Sequence, residues 1–247
     1  MAEPGPTGFR PSEPHLAGGL ARRSDKGRLE AGTAATTPPA RPRGDAQPGQ
    51  HRRVNAELVR ARAVAEVALF AAVIVALGMV PSVYAFGLAV PVTAQTLGVM
   101  LAGAVLGAKR GTASVAVVIV LVVASLPVLS GGRGGIGVLT SPTGGFLLGW
   151  LPAVFVVGLV ARRALRLPPR ARVCGLVGAC LLGGVVVDYA LGVPWWSVVT
   201  GQDLALTAAQ AVAFLPGDLL KAVLAGVAAA AVHTQVRLDH MYPASHG

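Results

Sequence analysis

Charged side chains are scarce in this chain of 247 residues, at 13% of the total, and only 11 acidic residues stand against 21 basic ones. Hydrophobic residues make up 53%, and the mean hydropathy is +0.64. A soluble globular domain carries about a quarter charged residues, so this composition excludes an ordinary soluble protein. It predicts a membrane protein.

Cysteine is nearly absent. Cys174 and Cys180 are the only two, and six positions on one predicted helix separate their Cα atoms by about 9 Å. That distance is too great for a disulfide, so both are predicted to be packing residues. The other ligands of a metal site are missing around them.

Motifs of nucleotide hydrolysis and of nucleophilic catalysis are also missing. The pattern GxxxxGK[ST] does not occur, and the stretch from Gly107 to Thr112 has the wrong spacing. The apolar segments hold no paired Ser and His, and His233 stands alone at the end of the last one. We therefore expect neither an enzyme nor a cofactor here, and any ATP hydrolysis belongs to partner subunits.

The first 55 residues have few large apolar side chains and are rich in Pro, Gly, Ala, Thr and Arg. Such a segment cannot bury enough surface to fold, which predicts a disordered cytoplasmic tail. No apolar stretch near Met1 resembles a secretory signal. The net charge of +10 does not predict nucleic-acid binding, because attraction to anionic lipid headgroups accounts for the arginines.

Long apolar runs begin after this tail. An all-α membrane domain at 56–237 is predicted, followed by a short cytoplasmic tail at 238–247. The six predicted spans are Val64 to Val80, Ala94 to Gly107, Thr112 to Val128, Gly144 to Ala161, Val173 to Gly192 and Val212 to Val232. A span needs about 20 residues, so the short second run is alternatively a re-entrant or buried segment.

Basic residues alternate between the connections. They precede span one, separate spans two and three, separate spans four and five, and follow span six. The other three loops contain Arg133 as their only basic residue. By the positive-inside rule, both termini are cytoplasmic and these three loops face outward. The sequence therefore predicts a bundle of six transmembrane helices in the cell membrane.

The second outward loop, Leu129 to Thr143, reads LSGGRGGIGVLTSPT. Its GxGxxG pattern follows a membrane span rather than a strand, so it does not indicate a dinucleotide site. The glycines allow the backbone to bend and approach a ligand closely. A merely flexible outer loop is the alternative.

Two charged residues, Asp218 and Lys221, lie in the last span, and three positions on a helix place them about 60° apart around its axis. Charges inside a span usually face a cavity or a partner, so this pair predicts a ligand site. Alternatively the two pair with each other or with Asp188. Tyr189 is a weaker candidate, and Trp195 and Trp196 are predicted to belong to an interfacial aromatic belt.

Two further outward positions can offer hydrogen bonds. Thr143 precedes the free N–H groups of a helix start, and Gln95, at the mouth of span two, can both donate and accept. These side chains could instead satisfy only the helix starts and their neighbours.

Several motifs occur in an order that resembles the BioY family, the biotin-binding S-components of energy-coupling-factor (ECF) vitamin transporters. They are AEVALFAAVIVALG, VPVTAQTLGVMLAGAVLGAKRG, LPVLSGGRGGIGVLTSPTGGFLLGW and FLPGDLLKAVLA. The resemblance runs from about Ala65 to His233. It implies a six-helix bundle that captures biotin from outside, between the outward loops and the last helix.

The resemblance implies ligand contact at the PGDLxK stretch, which falls on Asp218 and Lys221. Biotin offers two ureido N–H donors, a ureido carbonyl and a valerate carboxylate, which suit an acid and a base. Arg133 is a second candidate for the carboxylate, and Leu129, Trp150 or Phe214 could enclose the rings. The full predicted set is Asp218, Lys221, Arg133, Gln95, Gly134, Gly135, Thr143 and Tyr189.

The resemblance also implies partners, namely a transmembrane coupling subunit and cytoplasmic ATPases. Small residues on span one would let another helix approach closely: Ala61, Ala65, Ala68, Ala72 and Ala76. The alternative use of these alanines is packing inside the bundle, and a homo-oligomer is the alternative assembly. Rival functions are an S-component for another vitamin and an ion or proton relay through the buried charges.

Overall fold

A computed structural model describes residues 48–82, 90 and 93–241. Within these residues the fold is all-helical, and β structure is limited to one isolated bridge between Leu129 and Arg133. The helices are α1 (Pro48–Gly78), α2 (Gln95–Val123), α3 (Gly144–Ala164), α4 (Pro169–Leu181), α5 (Asp188–Thr200), α6 (Leu204–Ala211) and α7 (Leu215–Met241). A π-helical turn, Leu182–Val187, joins α4 to α5, and a 3₁₀ turn, Val212–Phe214, joins α6 to α7.

Within the described residues, five helical stretches are long and apolar enough to cross a membrane. They are Asn55–Gly78, Gln95–Val123, Gly144–Ala164, Pro169–Thr200 and Leu204–Gln235. Many of their large apolar side chains point away from the protein, among them Val120 at 65% exposed and Val198 at 79%. Such an apolar exterior suits contact with lipid.

The predicted spans two and three both fall within α2, which contains a break. Gly107 has φ 79° and ψ 178°, a conformation that is not helical and is open almost only to glycine. A Cβ at Gly111 would stand 2.9 Å from the carbonyl oxygen of Ala102, whereas nine helical positions span about 13 Å. The backbone therefore folds back at Gly107.

The predicted third outward loop, 193–211, is mostly helical, which corrects the sequence interpretation. α5 continues to Thr200 despite Pro194 in its interior. It stops at Gly201, whose φ of 68° is the left-handed conformation that ends many helices. α6 starts at once, because Asp203 caps it through Oδ1, which accepts from the N–H groups of Ala205 at 2.8 Å and Leu206 at 3.2 Å.

Two helices extend into the segments that the sequence predicts to be tails. α1 begins at Pro48, inside the N-terminal tail predicted to end at residue 55. α7 continues to Met241, into the predicted C-terminal tail. Predictions for residues 1–47, 83–89, 91–92 and 242–247 lie outside the described residues.

Small residues let the helices pack closely. α4 and α7 meet through alanines that are fully buried, and a Cβ at Gly226 would stand 2.7 Å from the backbone nitrogen of Val177. On the other side, valines of the second half of α2 pack against Trp150 and Val154 of α3 and Ile74 of α1. In lipid such close packing, rather than water exclusion, holds helices together.

Candidate ligand-binding site

A cavity lies where the first turns of α2, α3 and α7 meet α5 and the glycine-rich loop. Its empty space, including the mouth that is open to solvent, is about 640 Å³. The described residues that line it are Val90, Thr93, Gln95, Thr96, Leu129, Arg133, Val138, Thr143, Phe146, Leu147, Trp150, Asp188, Tyr189, Phe214, Asp218 and Lys221. The lining combines apolar and aromatic surface with two carboxylates and two basic groups.

Asp218 and Lys221 face this cavity together, at the start of α7. The Lys221 ammonium donates to Oδ1 of Asp218 at 2.9 Å and to the Thr96 hydroxyl at 3.2 Å. The Tyr189 hydroxyl donates to the other carboxylate oxygen, Oδ2. Asp218 and Lys221 thus pair with each other and also face the cavity. Asp188 takes no part in this ion pair.

Arg133 reaches the cavity from the glycine-rich loop. Its Nε donates to the carbonyl of Ser130 at 3.2 Å, and its Nη1 donates to the Thr143 hydroxyl at 3.3 Å. The Thr143 hydroxyl also lies 2.8 Å from that of Ser141. Loop contacts thus orient the guanidinium before any ligand arrives.

Gln95 is almost fully buried, and its amide is used by the backbone. Its Nε2 donates to the carbonyls of Ile74 at 3.4 Å and Val128 at 3.1 Å, while its Oε1 accepts from the N–H of Ser130 at 3.0 Å. One side chain therefore ties α1, α2 and the start of the glycine-rich loop together. This geometry favours the structural alternative for Gln95, although the residue also lines the cavity.

Gly134 and Gly135, both predicted ligand contacts, are not among the described residues that line the cavity. Gly134 packs directly against the carbonyl of Leu126, where a Cβ would collide. Gly135 has φ 89°, and its N–H donates to the carbonyl of Val122 at 2.7 Å. Both glycines instead hold the loop against the end of α2.

The sequence model of the BioY family matches residues 50–238. The biotin transporter BioY of Rhodobacter capsulatus is 50% identical over 177 residues, which cover 68% of this chain and 91% of that protein. That of Rhizobium etli is 46% identical, with 67% of this chain and 89% of that protein covered.

The chain belongs to the BioY family. Among solved structures it is similar to the S-component for biotin from an ECF-type ABC transporter, known at 2.1 Å. The TM-score is 0.65 at 29% identity, with 71% of this chain and 92% of that chain covered. This BioY family member is therefore an integral membrane protein.

The family motif locates the charged pair, but sequence reasoning missed much of the apolar lining. Val138, Phe146 and Leu147 line the cavity, and the Phe146 ring meets the Tyr189 ring edge to face at 5.9 Å between centroids. A signal was present, since Phe146, Leu147 and Trp150 are spaced to share one side of α3 directly after the glycine-rich loop.

The alanines of α1 lie on the outside of this family member. The four named as docking residues, Ala65, Ala68, Ala72 and Ala76, are all exposed, whereas Ala71 and Ile74 pack inward. Among the five apolar stretches, the one in α1 is the least buried. The alternative in which these alanines pack inside the bundle does not fit this orientation.

Proposed function

We propose that this protein captures biotin at the outer face of the cell membrane, as the substrate-binding component of an ECF-type transporter. The observation that carries this proposal is the Asp218/Lys221 pair of the family motif, which lines a cavity together with apolar and aromatic side chains. BioY proteins are transport components, so the chain is not an enzyme.

The chemistry of biotin suits the lining. A ureido N–H can donate to the remaining lone pairs of Asp218, while Lys221 and Arg133 can donate to a ligand carbonyl or carboxylate. Aromatic residues Phe146, Trp150 and Phe214 offer surfaces for the apolar rings. Hydrogen bonds to neighbouring groups hold the polar side chains of the cavity in place before the ligand arrives, which lowers the entropy cost of binding.

Six crossings and cytoplasmic termini complete the proposed topology. The fold-back at Gly107 supports two crossings within α2, since Gln95 at its start and Val128 beyond its end touch each other. The exposed alanine face of α1 supports docking of a transmembrane coupling subunit, and ATP hydrolysis would take place in further subunits. Both partners are inferred from the family.

A biotin titration of the detergent-purified protein tests the proposal. Wild type should bind saturably, and Asp218→Asn and Lys221→Ala should each weaken binding by about tenfold or more, because each leaves a buried partner unpaired. Glu57→Gln and Lys109→Ala, which change exposed charges, serve as controls and should bind like wild type. Absence of saturable biotin binding by wild type would refute the function and favour another vitamin.

A further inference from the structure

Asp188 and Trp150 are polar residues buried beside the cavity. Among the described residues, Asp188 Oδ1 and the indole Nε1 of Trp150 have no hydrogen-bond partner, and both side chains line the cavity. Asp188 is 2% exposed and Trp150 is 5% exposed. An unpaired polar atom in a protein interior is costly, so each needs an explanation.

The two residues are neighbours across the α3/α5 contact. Gly149, the residue before Trp150, leaves room for the acid: a Cβ there would stand 2.5 Å from Asp188 Oδ1. Asp188 directly follows the π-helical turn Leu182–Val187, a feature found often at functional sites. An acceptor from α5 and a donor from α3 therefore line the same cavity.

The Asp218/Lys221 pair of this cavity already has hydrogen-bond partners within the protein. Asp218 accepts from Lys221 and Tyr189, and Lys221 donates to Thr96 as well. Asp188 Oδ1 and Trp150 Nε1, by contrast, have no hydrogen-bond partner among the described residues. Among the described residues, the acid and the indole outside the charged pair are thus the cavity-lining groups that still need a hydrogen-bond partner.

We propose that Asp188 and Trp150 form a second recognition point, which binds the ureido group of biotin. The Asp188 carboxyl group accepts one ureido N–H, and the indole N–H of Trp150 donates to the ureido oxygen. This assignment rests on the proposed function. Biotin has two N–H groups, both in the ureido ring, and two carboxylates line the cavity, so Asp188 and Asp218 can take one N–H each.

Biotin and 2-iminobiotin, titrated in parallel against the full-length purified protein, test this assignment. In 2-iminobiotin an N–H group replaces the ureido oxygen, and the ring is positively charged at neutral pH. Trp150→Phe keeps an aromatic ring and removes the donor. It should weaken binding of biotin by about tenfold and binding of 2-iminobiotin by much less, because the analogue has no ureido oxygen to accept the hydrogen bond from the indole.

Asp188→Asn should shift the ratio of the biotin affinity to the 2-iminobiotin affinity in the opposite direction. A carboxylate binds a cationic ring more strongly than an amide does, so this variant should weaken 2-iminobiotin more than biotin. The melting temperature of the ligand-free variant should not fall, because Asp188 Oδ1 has no hydrogen-bond partner to lose among the described residues. A purely structural role for Asp188 would lower that temperature and leave the ratio unchanged.

Trp196→Phe is the matched control. The Trp196 indole is also buried with an unpartnered Nε1 in the described part of the chain, but it does not line the cavity. Its removal should leave both affinities within about twofold of wild type. Unchanged ligand ratios in both Trp150→Phe and Asp188→Asn would overturn the assignment while wild-type biotin binding remained intact, whereas wild type without biotin binding would overturn the proposed function itself.

Discussion

At the scale of single residues, two glycines of the same loop have different tasks. Gly134 lies against the carbonyl of Leu126, so any side chain there must displace backbone, whereas nothing lies within 4 Å of a Cβ at Gly137. Gly134 also directly follows Arg133, whose guanidinium faces the cavity. A shift of this backbone should therefore reach the ligand site.

We predict that Gly134→Ala lowers the stability of the protein by about 1–3 kcal/mol, the usual cost of forcing atoms into a packed site. It should also weaken biotin binding. Gly137→Ala is the control and should change stability by less than about 0.5 kcal/mol. Thermal unfolding in detergent and a biotin titration measure both effects, and equal behaviour of the two variants would contradict this account of the loop.

Sequence reasoning succeeded best with residues whose chemistry is out of place in a membrane. Asp218, Lys221 and Arg133 were found because charges in an apolar chain need a reason, and all three line the cavity. Gln95 was ambiguous, because a polar side chain at a helix start can bind either ligand or backbone. Only the positions of Val128 and Ser130 decide that its amide binds backbone.

At the scale of elements, α1 presents a row of exposed alanines on its outer side. Ala68 and Ala72 are exposed, while Ala71 between them is 4% exposed and belongs to the core. Small side chains at intervals of three or four let a second helix approach closely. The face is therefore suited to a helix of another membrane subunit.

We predict that Ala68→Trp and Ala72→Trp leave biotin binding unchanged but reduce copurification of a coexpressed ECF coupling subunit by about tenfold, since bulk at a small-residue interface separates the helices. Val227→Trp, at a position on α7 that is 49% exposed, is the matched control and should assemble normally. Normal assembly of the α1 variants would place the docking surface elsewhere.

Helix ends were harder to predict than helix cores. Hydropathy located every apolar run, but it treated residues 193–211 as a loop, although α5 and α6 occupy most of them. Pro194 does not end α5, and the polar residues around Gly201 separate two helices rather than forming a long loop, because Asp203 caps α6 directly after the turn.

At the scale of the whole molecule, the alternation of basic loops predicts which side each connection faces. Lys109 and Leu167 belong to connections predicted to be cytoplasmic, and Gly137 and Gln202 to outward ones, and all four are exposed. Arg110, next to Lys109, binds Glu66 of α1. That ion pair places the turn of α2 beside the middle of α1.

We predict the labelling pattern of single cysteines introduced after Cys174 and Cys180 are replaced by alanine. Gly137→Cys and Gln202→Cys should react with a membrane-impermeant maleimide in intact cells, and Lys109→Cys and Leu167→Cys only after permeabilisation. If α2 crossed the membrane once as a straight helix, Lys109 would lie near the bilayer centre. A Lys109→Cys variant that stays unlabelled on both sides would therefore refute six crossings.

By itself, the sequence determined the class of protein, the approximate position of every apolar segment and the charged pair of the ligand site. These follow from composition, length and the cost of charge in lipid, which are local properties. Tertiary structure alone decided that α2 folds back at Gly107, that Gln95 serves the backbone, and that Asp188 and Trp150 stay unpaired beside one cavity. Each of these depends on which distant residues come into contact, and hydropathy contains no information about such contacts.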